Sequence, residues 1–103
     1  MAAPATASKK KILVIEDEGD VRDLIALNLT RDGYLVESEA SGEEGLSRFE
    51  KSPYDLCIVD WMMPGVNGLD VARAIRGQFK SSTPVLMVTA RAEAADIVLG
   101  LEA

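Results

Sequence analysis

Histidine is absent from all 103 residues, and cysteine occurs once. Without imidazole the chain has no histidine general base and none of the usual histidine-containing zinc sets. A lone Cys57 forms no intrachain disulfide, and its place inside Leu56-Cys57-Ile58-Val59 reads as a buried thiol, which fits a cytosolic protein. No window holds the roughly 20 apolar residues of a membrane span. The opening MAAPATASKKK lacks the apolar core of a secretory signal and reads as a disordered tail over residues 1–10. Positive charge is in deficit: 11 Lys and Arg stand against 17 Asp and Glu, a net charge of −6. Such a domain repels nucleic-acid backbones and anionic membranes, so a basic protein surface or a metal cation is the expected partner.

What is present is a hydrophobic fraction of 48%, enough for the core of one small domain over 11–103. Short apolar runs alternate with helical patterns. The predicted strands are 11–16, 34–40, 54–60 and 85–90, and the predicted helices are 19–32, 41–52, 68–79 and about 93–102. Val21, Leu24, Ile25 and Leu29 recur at helical spacing, as do Leu69, Ala72, Ile75 and Phe79, and both sets are expected to face inward. Ser41 and Glu44 form a capping-box signature, Asn67 suits an N-cap, and Gly33 suits a helix end. A βα unit repeated four times implies α/β architecture: a doubly wound parallel sheet with helices on both faces. Strand two alternates with Glu37 and Glu39 and is expected at an edge, whereas the continuous apolar runs of the other three are expected to be central.

In such sheets ligands bind beyond the C-terminal ends of the strands. Strand one ends in Glu16-Asp17-Glu18, strand three in Asp60 and strand four in Thr89. An acid after one strand also suits the N-terminus of the next helix. Three acids at neighbouring strand ends repel one another unless a proton or cation intervenes, and a hard divalent ion with oxygen ligands, Mg²⁺, fits that donor set.

The segments ILVIEDE, DLCIVDWMMPGVNG, PVLMVTA and the closing GLEA, in this order and spacing, resemble the receiver domain of two-component response regulators from about Lys11 onward. DWMMPGVNGLDV and VTARAEAADIVLGLEA are most similar to the winged-helix OmpR/PhoB class. The resemblance implies a flavodoxin-like (βα)5 fold and a phosphoacceptor at Asp60, charged by a sensor histidine kinase, a phosphotransfer protein or a small donor such as acetyl phosphate. It implies that Asp17 ligates Mg²⁺, that Glu16 assists, that Asp60 and the backbone carbonyl of Met62 complete the metal site, and that the Thr89 hydroxyl contacts the phosphoryl group. The family's fifth strand and helix, with a phosphoryl-contacting lysine and a switch aromatic, have no counterpart before Ala103, and Lys80 precedes strand four. Strand four is therefore expected at an open edge, with a homodimer or domain-swapped oligomer as the outcome. Two alternatives stand beside the signalling receiver. One is a binding or oligomerisation module that keeps the metal pocket. The other is a Mg²⁺-dependent phosphohydrolase of the haloacid-dehalogenase type, which wants a second acid where this chain has Met62.

Overall fold

The computed structural model describes residues 9–88. Four parallel strands, β1 (Lys11–Ile15), β2 (Leu35–Glu39), β3 (Leu56–Asp60) and β4 (Val85–Val88), form one sheet in the order β2-β1-β3-β4. Helix α1 (Gly19–Arg31) joins β1 to β2, α2 (Gly42–Lys51) joins β2 to β3, and α3 (Gly68–Arg73) leads towards β4. This is the flavodoxin-like doubly wound order. The predicted helix over 93–102 and Thr89 lie outside the described residues.

Local chemistry explains where the helices begin and end. The Ser41 hydroxyl accepts the Glu44 N–H at 3.2 Å. Asn67 and Asp70 exchange both bonds of a capping box, 3.0 Å and 3.2 Å long. The Asn28 amide donates back to the Leu24 carbonyl, and α1 closes at Asp32 before Gly33, whose φ of +101° is the left-handed conformation glycine tolerates. The pattern over 68–79 does not continue as one uniform α-helix. Ala74–Gln78 widens into a π-turn, and Arg76 ties its end to the carbonyls of Ser81 and Thr83.

The sheet divides the core in two. Leu13, Ile15, Cys57, Val59, Val85 and Met87 point to the side covered by α2 and α3, where Phe49, Val71, Ala72 and Ile75 are buried against them. Phe49 stacks between Tyr54 and Phe79, with ring centroids 6.0 Å and 5.8 Å away. On the other side Ile12, Val14 and Ile58 are buried under Ile25 and Leu29 of α1. Cys57 is fully buried as expected, which pushes its thiol up to about 12.

Two inward assignments change. Leu24 is 59% exposed, because only Ile25 and Leu29 of the α1 stripe reach the sheet. In α3, Val71 is fully buried and Leu69 only half-buried, since the helix approaches the sheet through 71, 72 and 75. Among the described residues β1 and β3 are central and β4 lies at the edge, the position expected for it with no fifth strand before Ala103. The β2 edge assignment holds. Its acids are spent on a polar staple: Glu37 accepts from Tyr54 and Arg48, and Glu39 accepts from Arg48. The Tyr54 hydroxyl, helped by Lys11 and Arg48, holds the Glu37 carboxyl below its ordinary value.

These burials separate two substitutions that the sequence pattern equates. Ile75→Ala removes a fully buried side chain and is expected to cost about 2–5 kcal/mol of stability. Leu24→Ala is expected to stay within about 0.5 kcal/mol. Urea unfolding of both variants checks the contrast, and equal losses would contradict the packing described.

Candidate metal and phosphoryl site

The register of the two central strands builds the site. Ile15 pairs with Val59 across β1 and β3, so the next residues, Glu16 and Asp60, emerge side by side at the same rim. The chain turns to β2 on one side of β1 and to β3 on the other, which makes this rim the topological switch point of the sheet. Asp17 follows Glu16 at once. One carboxylate oxygen from each of Glu16, Asp17 and Asp60 lies within 4.8 Å of the other two.

Glu16 is 1% exposed and Asp60 6%, while Asp17 is open to solvent. Backbone groups orient the buried pair. The Glu18 N–H donates to Glu16 Oε2 at 3.0 Å, and the Met62 N–H donates to Asp60 Oδ1 at 3.4 Å. Glu16 Oε1 is buried with no hydrogen-bond partner, and among the described residues it is the one side-chain polar atom in that condition. Burial is the main reason the Glu16 carboxyl is pushed up to about 7. The Glu18 N–H opposes the shift, and the Asp60 and Asp17 charges add to it. The Asp60 carboxyl is also raised, again chiefly by burial, against the Met62 N–H and with the Asp17 charge.

The magnitudes decide what the cluster needs. Two unit charges about 5 Å apart repel by about 3 kcal/mol at an effective dielectric constant of about 20. Three such pairs approach the whole net stability of a small domain, about 5–15 kcal/mol. Screening by water at the exposed Asp17 lowers this sum, but ionising all three acids remains costly without a positive charge among the oxygens. Opposite ligands of one cation stand about 4.2 Å apart for Mg²⁺ and somewhat further for Ca²⁺, so the 4.8 Å spread suits a single ion. The orphaned, buried Glu16 Oε1 and the all-oxygen donor set fit a hard divalent cation.

Glu16, Asp17 and Asp60 are thus brought together as the sequence suggests. The backbone of Met62 is next to Asp60, but its side chain is exposed, whereas that of Met63 is buried. Trp61, 39% exposed, borders the site. Lys80 lies in the link that enters β4 at the opposite end of the sheet, where it cannot serve Asp60. Two contributors escape the sequence pattern. They are the Glu18 N–H and Arg22, whose guanidinium donates to the Glu16 carbonyl at 2.8 Å and fixes the turn. Backbone donors leave no sequence signal, and an arginine in the first turn of a helix ordinarily reads as a solvated face.

A carboxyl whose folded pKa lies above its unfolded value penalises the fold once it ionises. For Glu16 the penalty is absent below its ordinary 4.5 and complete above about 7. In a chelating buffer, Glu16→Gln is therefore expected to match the parent near pH 4.5 and to exceed it at pH 8 by about 1–2 kcal/mol. Thermal melts across that range check the prediction, and a parent that is the more stable protein at pH 8 without metal would contradict it.

Known proteins with this pattern are numerous and consistent. The family model for the response regulator receiver domain matches residues 12–103. Response regulator ArlR of Staphylococcus epidermidis is 43% identical over 91 residues, covering 88% of this chain and 41% of the relative. Transcriptional regulatory protein ResD of Bacillus subtilis is 40% identical over 96 residues, covering 93% and 39%. The chain thus spans about two fifths of the length of these curated relatives. Among solved structures, the response regulator TrrA of Thermotoga maritima in complex with Mg²⁺-BeF superposes with a TM-score of 0.75 at 39% identity, covering 82% of this chain and 72% of that one. TrrA in complex with histidine kinase ThkA gives a TM-score of 0.73 at 38% identity, covering 84% and 74%. With the β2-β1-β3-β4 sheet and the acidic cluster at its switch point, these matches make the chain a member of the response regulator receiver domain family.

Proposed function

We propose that this chain is a phosphoryl-accepting signalling receiver in which Asp60 takes the phosphoryl group with Mg²⁺ held by Glu16, Asp17, Asp60 and the Met62 carbonyl. The observation that carries the reading is the cluster itself: a buried acid pair with one orphaned oxygen, and a third acid open to solvent, at the switch point of the sheet. Support for the ion comes from the TrrA relative, whose structure contains Mg²⁺-BeF. Support for the donor comes from the complex of TrrA with a histidine kinase. On this reading the partner is a sensor histidine kinase or phosphotransfer protein in the cytosol, and the regulated output is transcription, as the name of ResD suggests. No described helix is long and apolar enough to cross a membrane.

Bound Mg²⁺ supplies charge neutralisation for the clustered carboxylates and for the phosphoryl oxygens in flight. The residues of the chain do the rest. Asp60 attacks phosphorus through a carboxylate oxygen while the P–N bond of a phosphohistidine, or the P–O bond of acetyl phosphate, breaks and the leaving group departs with its electron pair. An acyl phosphate remains on Asp60. The Met62 N–H holds Asp60 Oδ1, so the carboxylate meets the donor in a fixed orientation. Asp60 is 6% exposed, so only a small donor or a narrow imidazole reaches it. The resemblance to receiver domains implies that the Thr89 hydroxyl contacts a phosphoryl oxygen; Thr89 follows Val88, which pairs with Asp60, and lies outside the described residues. The domain so defined runs over 11–103 after a tail at 1–10, and it catalyses only its own phosphorylation and dephosphorylation.

The hydrolase alternative has little to support it, because the position two residues after Asp60 is an exposed methionine. Incubation with acetyl phosphate and Mg²⁺, read by intact mass, tests the reading. One phosphoryl group is expected on the parent and none on Asp60→Asn. Asp17→Asn is expected to weaken the Mg²⁺ response of Trp61 fluorescence at least about tenfold, while Glu39→Gln leaves it unchanged. Labelling that survives Asp60→Asn would remove Asp60 from the role, and sustained turnover of a phosphate ester would favour the hydrolase.

A further inference from the structure

The loop over 61–67 leaves β3 directly after Asp60 and rejoins the rim at Gly68, the first residue of α3. Its ends touch. The Gly68 N–H donates to the Trp61 carbonyl at 3.2 Å. A methyl group at Gly68 would stand 2.7 Å from the Asp60 carbonyl oxygen and 3.0 Å from Trp61 Cα. Two residues before Gly68 the loop meets α2 just as closely: a methyl at Gly42 would stand 2.6 Å from the Val66 carbonyl oxygen and 2.8 Å from Val66 Cγ1. Both glycines are buried. Neither has a positive φ, so the backbone conformation does not call for glycine at 42 or 68. Space does. The nearest atoms at both positions are backbone carbonyl oxygens, which cannot rotate aside as a long side chain would.

We propose that Gly42 and Gly68 are positioning residues for the cation site. They let the end of the loop close on α2 at Val66 and on the loop's own start at Asp60 and Trp61, and so fix the backbone from Asp60 to Met62 that presents one N–H to Asp60 and one carbonyl to the ion. The inference rests on the metal reading above. Its mechanism is a matter of tolerance. Mg²⁺ requires near-ideal octahedral geometry at about 2.0–2.1 Å, whereas Ca²⁺ accepts six to eight oxygens at about 2.3–2.6 Å in adaptable arrangements. A methyl group at either glycine forces a shift of several tenths of an ångström. That shift degrades Mg²⁺ binding far more than Ca²⁺ binding. A loss of general stability in a chain that stays folded lacks this ion preference.

The test is titration of the 103-residue chain with Mg²⁺ alone and Ca²⁺ alone, followed by Trp61 fluorescence, with circular dichroism to establish that each variant is folded. Gly68→Ala is expected to weaken Mg²⁺ at least about tenfold and Ca²⁺ less than about threefold. Gly42→Ala is expected to move the ratio in the same direction and carries the test if Gly68→Ala does not fold. Gly77→Ala, where a methyl meets nothing within 4 Å, is the control and is expected to leave both affinities unchanged. Equal weakening of both ions, or no change in a folded Gly68→Ala or Gly42→Ala chain, overturns the positioning role while leaving the metal site intact. A parent chain that binds neither ion overturns the metal reading and this inference together.

Discussion

Everything at the functional rim depends on the parallel pairing of β1 with β3. The register Ile15↔Val59 sets two acids next to each other at the moment both strands leave the sheet. Four buried residues per central strand make that register expensive to change: a one-residue slip of either strand would turn its pair, Leu13 and Ile15 or Cys57 and Val59, away from the α2–α3 core. The apolar interior therefore enforces a juxtaposition that the carboxylates by themselves would oppose. Hydrophobic packing supplies the stability, and electrostatic repulsion is confined to one small place where a cation can relieve it.

That arrangement also explains the uneven treatment of charge across the sheet. At the β2 edge, Glu37 and Glu39 sit among Arg48, Lys11 and the Tyr54 hydroxyl, and Glu37 stays readily ionised. These partly exposed ion pairs contribute little net stability, but they leave no acid there in need of a ligand. At the switch point the acids have backbone donors and one another, no nearby side-chain cation partner among the described ion pairs, and both buried carboxyls are raised. The same residue type is structural at one edge of the sheet and chemical at its centre. What differs is the neighbouring charge and the exposure to water.

The two faces of the sheet differ in the same way. The α2–α3 side is closed by a row of stacked aromatics and by Val71, Ala72 and Ile75. The loop after Asp60 packs on this side through Met63 and Val66. Among the described residues the α1 side is covered by fewer side chains, and Leu24 and Leu27 are more than half exposed. A well-packed support on one side of Asp60 suits the proposed phosphoryl transfer, which depends on geometry and charge more than on any acid–base residue.

The order of elements, the edge character of β2, the buried thiol, the caps at Ser41 and Asn67 and the meeting of Glu16, Asp17 and Asp60 were all determined by the sequence itself. These rest on short-range signals, or on a topology rule that follows from alternating strands and helices. Which residues of a helical stripe are buried was decided only in three dimensions. The crossing of each helix over a twisted sheet selected Ile25 and Leu29 over Leu24, and Val71 over Leu69. The tertiary structure alone also produced the orphaned Glu16 oxygen, the Arg22 and Glu18 contacts that orient it, and the close approaches at Gly42 and Gly68. These are distances between groups remote in the chain or carried by the backbone. No periodicity or composition encodes them; they follow from the depth at which each helix is drawn onto the sheet by its apolar face.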